Sequence, residues 1–145
     1  MRMLMLSFSL FCYSFASCSQ NITSADVPSV VKNALLTQYA DAMHVEWEKE
    51  KDLYEAEFEI NQTEYSALFD ASGKMVLVKT EIPAAEIPAA VQATISQKYQ
   101  NKKIEDAEKI EKHGQVFYEV ELDGKLFGKE IVLNQDGTIA QNQNF

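Results

Sequence analysis

HVEWEKEKDLYEAEFEI, residues 44–60, decides the fold. From Val45 to Glu50 apolar and charged residues alternate, and the alternation resumes from Tyr54 to Ile60. A period of two belongs to a strand whose two sides meet different surroundings. The two runs therefore predict an antiparallel hairpin with Lys51-Asp52 at its tip. If Val45 and Trp47 share a side with Tyr54, Ala56 and Phe58, pleat parity sends Glu46, Glu48, Glu50, Glu55, Glu57 and Glu59 to the other. The tip sets Glu48 opposite Glu55 and Glu46 opposite Glu57, although like charges directly opposite destabilise a sheet.

Outward from this hairpin, further alternation predicts strands over about residues 64–70 and 75–80. Ahead of it, Val27-Pro28, Val31, Leu35 and Tyr39 follow at intervals of four, an apolar stripe on one helix face. Asp26 stands just before the proline, where an acid favours a helix N-terminus.

The whole pattern returns. At an offset of 60 the stripe falls on Ile87-Pro88, Val91, Ile95 and Tyr99, with Glu86 matching Asp26. At an offset of 64, Tyr54 to Phe58 falls on Tyr118 to Leu122, and Phe69 to Lys74 on Leu133 to Thr138. The first strand of the second copy, near Ile104 to Glu111, is ambiguous in phase. The expected fold class is α+β: two tandem helix-plus-four-strand repeats sharing one antiparallel sheet, with both helices on one face. The expected domain is 26–145, with repeat one at 26–82 and repeat two at 86–145, after a short linker at 19–25 and a leader at 1–18.

The leader reading rests on Arg2 followed by a largely apolar run from Met3 to Ala16, short of the roughly 20 residues a membrane span needs. Both cysteines, Cys12 and Cys18, fall there, so no disulfide framework is expected in the folded part. Phe15-Ala16-Ser17-Cys18 resembles a bacterial lipoprotein cleavage box, although that pattern usually has Leu where Phe15 stands. The resemblance implies acylation of Cys18 and a membrane contact through it alone; simple secretion, or a buried leader cysteine, is the alternative.

Composition narrows the function. A chain of 145 residues with 46% hydrophobic content can build a core. Its net charge of -9 argues against nucleic acid, whose phosphates select a basic face. His44 and His113, the only histidines, lie in different repeats, and no His, Cys and carboxylate cluster has metal-ligand spacing. No enzyme, metal or cofactor is expected. Asp70 to Gly73 and Asn134 to Gly137 read as hairpin turns, since they lack the ligand ladder and terminal Glu of a calcium loop. Trp47 reads as core. Asn21-Ile22-Thr23 and Asn61-Gln62-Thr63 match glycosylation sequons, without consequence in a bacterial envelope.

Val27-Pro28, the helix ending at Tyr39, Val45 to Glu48, Tyr54 to Phe58 and Phe69 to Lys74, together with their second copies, resemble the PepSY-like, β-lactamase-inhibitor-like proteins of bacterial envelopes. The resemblance covers nearly all of residues 24–145. It implies two α/β repeats on one sheet and a relationship to inhibitory segments of peptidase precursors.

These readings converge on an exported, non-enzymatic protein-binding module that inhibits or escorts an envelope enzyme. The alternative is a small-ligand or cation-binding envelope protein. The expected location is the periplasm, or the outer membrane or cell surface as a lipoprotein. The expected partner is another envelope or secreted protein, basic in character. Candidate binding residues are Glu46, Glu48, Glu55 and Glu57, with a second lobe at Glu119 and Glu121. Against this stands a purely structural reading, in which water and lysines such as Lys79 screen the acids.

Overall fold

A computed structural model of the chain describes residues 20–124 and 128–140. The expected leader, with Cys12 and Cys18, lies outside the described residues. The described chain forms one eight-stranded antiparallel sheet whose spatial order is its sequence order, β1 to β8. The strands are β1 (Gln20–Ile22), β2 (Met43–Glu50), β3 (Leu53–Ile60), β4 (Thr63–Asp70), β5 (Met75–Glu81), β6 (Ile104–Lys112), β7 (Gln115–Leu122) and β8 (Lys129–Asn134). Helix α1 (Ser29–Gln38) joins β1 to β2, and a 3-10 turn (Ala84–Glu86) with α2 (Ala89–Lys98) joins β5 to β6.

This corrects the expectation of two helix-plus-four-strand repeats. The molecule is predominantly strand, with two ten-residue helices. Among the described residues four strands follow α1, but three follow α2. After β8 the described chain makes only a single bridge, Leu133 to Ile139. In the first half the fourth strand is held on both sides, by β4 and β6. At the offset of 64 its counterpart falls at residues 139–145, of which 141–145 lie outside the described residues. The remaining strand, β1, arises where a linker was expected.

Each helix presents its apolar stripe to the same side of the sheet. Val31 and Leu35 of α1 pack with Trp47, Tyr54, Ala56, Phe58, Ala67, Phe69 and Val78. Val91 and Ile95 of α2 pack with Ala107, Tyr118, Val120, Leu122, Ile131 and Leu133. The register links the two sets, since Ala56 pairs with Ala67, Ala67 with Val78, Ala107 with Val120 and Val120 with Ile131. Trp47 is core, 6% exposed. Tyr39 and Tyr99 cap the helix C-termini, and the Tyr39 ring lies 4.8 Å from that of Phe58.

The turn glycines lock helices to hairpins in both halves. Gly73 (φ 83°) and Gly137 (φ 84°) adopt the left-handed conformation that glycine accepts freely. A Cβ on Gly73 would stand 2.9 Å from the Val30 carbonyl oxygen, and one on Gly137 would collide with the carbonyl of Ala90, the equivalent residue. Asp70 and Asp136 close these turns by accepting hydrogen bonds from Ser72 and Thr138, the work of turn residues.

Candidate functional site

The sheet side turned away from the helices is acidic from edge to edge. β2 contributes Glu46, Glu48 and Glu50, and β3 contributes Glu55, Glu57 and Glu59. Glu64 and Ser66 follow from β4, Lys79 and Glu81 from β5, Asp106 and Glu108 from β6, Glu119 and Glu121 from β7, and Glu130 from β8. Glu48 faces Glu55 and Glu46 faces Glu57, the register read from the hairpin tip. Glu59 faces Glu64, and the run Glu81, Glu108, Glu119 continues the juxtaposition of like charges across three strands.

Lys79 is the cation at the centre. Its Nζ donates to a carboxylate oxygen of Glu119 at 2.7 Å and lies 3.6 Å from Glu108. Lys79 and Glu119 are only 5% and 3% exposed, so this is a buried ion pair, which persists only because each charge satisfies the other. Glu119 Oε1 is buried and meets no hydrogen-bond donor among the described residues. Glu55 is held differently, by the Ser66 hydroxyl, which donates to it at 2.5 Å.

Crowding shifts the acids upward. Glu57 is pushed up to about 7, first by desolvation and then by the charges of Glu55, Glu48, Glu46 and Glu64. Glu130 is also pushed up to about 7, by desolvation, by the charge of Glu119 and by a hydrogen bond with it, with Lys79 opposing. Glu55 and Glu121 rise for the same leading reason, burial; Ser66 and Lys79 moderate the first, while Glu105 and Asp106 add to the second.

The candidate residues read from sequence thus share one face, in two lobes. Glu46, Glu48, Glu55 and Glu57 are contiguous on β2 and β3; Glu119 and Glu121 lie beyond β4, β5 and β6. Glu46 and Glu57 are exposed and Glu48, Glu55 and Glu121 half-buried, whereas Glu119 is covered and meets Lys79 instead of solvent. Sequence reasoning missed Glu108 and Glu130. The first was hidden by a bulge between Ile104 and Asp106 that reverses the phase of β6. The second had a signal, since the offset of 64 sets Glu130 on Ser66, but the consequence needs the packing.

The same face has an apolar patch that alternation did not reveal, formed by the pairs Leu68 with Leu77 and Ile110 with Phe117. These four are 0–9% exposed, so the acids are what the face offers to solvent. The nook bordered by Asp106, Ala107, Glu108, Glu119 and Glu121 has no room for a water-sized molecule. Among the described residues no three His, Cys, Asp or Glu side chains are arranged to hold a metal ion. His44, in the β2 bulge, and His113, in the β6–β7 turn, are both exposed.

The family profile described as "Putative beta-lactamase-inhibitor-like, PepSY-like" matches residues 16–76 and 54–141. No curated protein matches the chain. Among solved structures, one described as a putative periplasmic protein from Bacteroides eggerthii is 20% identical, with a TM-score of 0.74, covering 81% of this chain and 88% of its own. A DUF2874 family protein from Bacteroides uniformis is 23% identical, with a TM-score of 0.71 and coverage of 79% and 86%. A BLIP-like protein from Bacteroides fragilis is 21% identical, with a TM-score of 0.66 and coverage of 79% and 84%. These likenesses establish the fold.

Proposed function

Because the chain belongs to the PepSY-like, β-lactamase-inhibitor-like family, we propose that it is an exported, non-enzymatic module that uses its helix-free face to bind a basic envelope protein, inhibiting or escorting it. The observation that carries this reading is the conflict built into the face. Glu48 against Glu55 and Glu46 against Glu57 cost stability in the free protein, and a local conflict of that kind is retained where a surface has work to do. A concentrated negative field also steers a basic partner into encounter.

At the acid-lined nook a small ligand is poorly served, because there is no volume for one; a small-ligand reading would have to use the cavity of about 330 Å³ bordered by Met75, Val78, His113 and Val116. A β-lactamase is a poor choice of target, because the exposed part of the face offers glutamates instead of the aromatic anchors of tight interfaces. The family and the description of a structural neighbour as periplasmic support an envelope location. Acylation of Cys18 would tether the domain there, each buried methylene contributing about 0.8 kcal/mol.

The test is retrieval of envelope proteins by the full chain, followed by association kinetics with the retrieved partner. Association should slow several-fold between low and physiological salt and in the double variant Glu48→Gln/Glu55→Gln. An unchanged rate in that variant at low salt removes the acid face from the reading.

A further inference from the structure

We propose that Glu119 and Glu130 hold one proton between them at neutral pH, and that its loss charges the helix-free face and so regulates binding there. The regulatory half rests on the binding role proposed above; the shared proton does not.

The duplication makes the case. At the offset of 64, Glu55 corresponds to Glu119 and Ser66 to Glu130. The registers agree, for Glu57 pairs with Ser66 as Glu121 pairs with Glu130. In the first half the position on the neighbouring strand is a hydroxyl that donates to Glu55 at 2.5 Å. In the second half the same position is a carboxyl, which donates only when protonated.

Glu119 needs that donor. One of its oxygens is engaged by Lys79 at 2.7 Å, while Oε1 is buried and faces no donor among the described residues. The adjoining nook does not accommodate a water-sized molecule, and the acids are not arranged to hold a metal ion. A proton carried by Glu130 satisfies Oε1 without needing space. Glu130 as a whole is exposed, so exchange of that proton with solvent is unobstructed.

The surrounding charges favour retention. Lys79 on β5 is the cation facing the pair, against Asp106 and Glu108 on β6 and Glu121 on β7 itself. Glu130 is pushed up to about 7, first by desolvation of its carboxyl and then by Glu119 and Glu108, with Lys79 opposing. Below that pH the pair carries one negative charge; above it, two. A cationic partner therefore meets a more attractive face at pH 8 than at pH 6, while the fold itself is better satisfied at pH 6.

The experiment is a side-chain carboxyl NMR titration of the full chain. Glu130 should titrate near pH 7, and Glu119→Gln should lower its midpoint by about one unit or more. A midpoint below about 5, the ordinary carboxylate range, or one unmoved by Glu119→Gln, overturns the shared proton. Glu130→Ser restores the hydroxyl found in the first half and should fold. Stopped-flow association with a labelled hexalysine peptide at low salt reads the regulation. The wild-type rate should rise several-fold from pH 6 to pH 8, and less in Glu130→Ser, which lacks that carboxyl. An equal rise in both proteins, or no binding of hexalysine, overturns the regulatory half and leaves the proton in place.

Discussion

Glu48 of β2 stands directly across from Glu55 of β3, and Glu46 across from Glu57. Such pairs cost roughly 0.2–1 kcal/mol each relative to neutral ones. Glu48→Gln/Glu55→Gln should therefore raise the melting temperature slightly while slowing association with a basic partner. Calorimetry beside association kinetics checks this; a loss of stability would assign these acids a structural role.

The elevated carboxyls fix the direction of the pH response. Glu57 and Glu130 titrate near 7 in the folded chain and near the ordinary glutamate value when unfolded. The folded state then binds more protons in that interval, so stability should rise as pH falls from about 8 toward 5. The trend reverses at lower pH, where Asp26, Asp70 and Asp136, held below their ordinary range by hydrogen bonds within their turns, become protonated. Added salt at pH 8 should also stabilise. Thermal melts showing a flat profile between pH 5 and 8 contradict this account.

Lys79 and Lys109 offer a contrast. Lys79 neutralises a glutamate that is itself buried, and removing one partner of such a pair typically costs about 3–5 kcal/mol. Lys79→Met should approach that loss. Pairing it with Glu119→Leu should recover most of the stability. Lys109, in an exposed pair with Glu111, should cost about 0–1 kcal/mol when replaced by Ala. Denaturant titrations that rank the two lysines equally would refute the burial argument.

The turn glycines separate strain from contact. Gly114 has φ 77° with open space around its missing side chain, so Gly114→Ala should cost about 1 kcal/mol from conformation alone. Gly73→Ala and Gly137→Ala add a clash with the backbone of the packed helix and should lose about twice that, Gly137 the more. Equal losses at all three positions would show that the helix contacts relax freely.

The residues that could be read in advance were those whose pattern is local. Val45 to Glu50 and Tyr54 to Ile60 alternate on either side of one charged tip, so the hairpin register followed from parity, and the Val31, Leu35, Tyr39 stripe needed only helical spacing. β1 escaped because three residues hold no period. The fourth strand expected of the second half falls mostly on residues 141–145, outside the described residues. The bulge at Ile104 to Asp106 shifted Ile110 to the acidic side, and with it the partners of Glu108 and Glu119. Lys79 was read as a screening surface charge because lysine is rarely covered; its burial follows from acids contributed by β6 and β7.

Strand order that never departs from chain order has a kinetic meaning. Apart from the connection at 123–128, every pairing closes either a tight turn or one helix-bearing connection, residues 23–42 or 82–103. The entropy lost in closing a loop grows with its length, and folding rates of small domains fall as native contacts become more distant in sequence. A sheet of this width assembled from distant segments would be slow to nucleate. This one can grow by successive hairpins, each adding an edge to those already formed, so the first strands can begin to order before the rest of the chain has joined them.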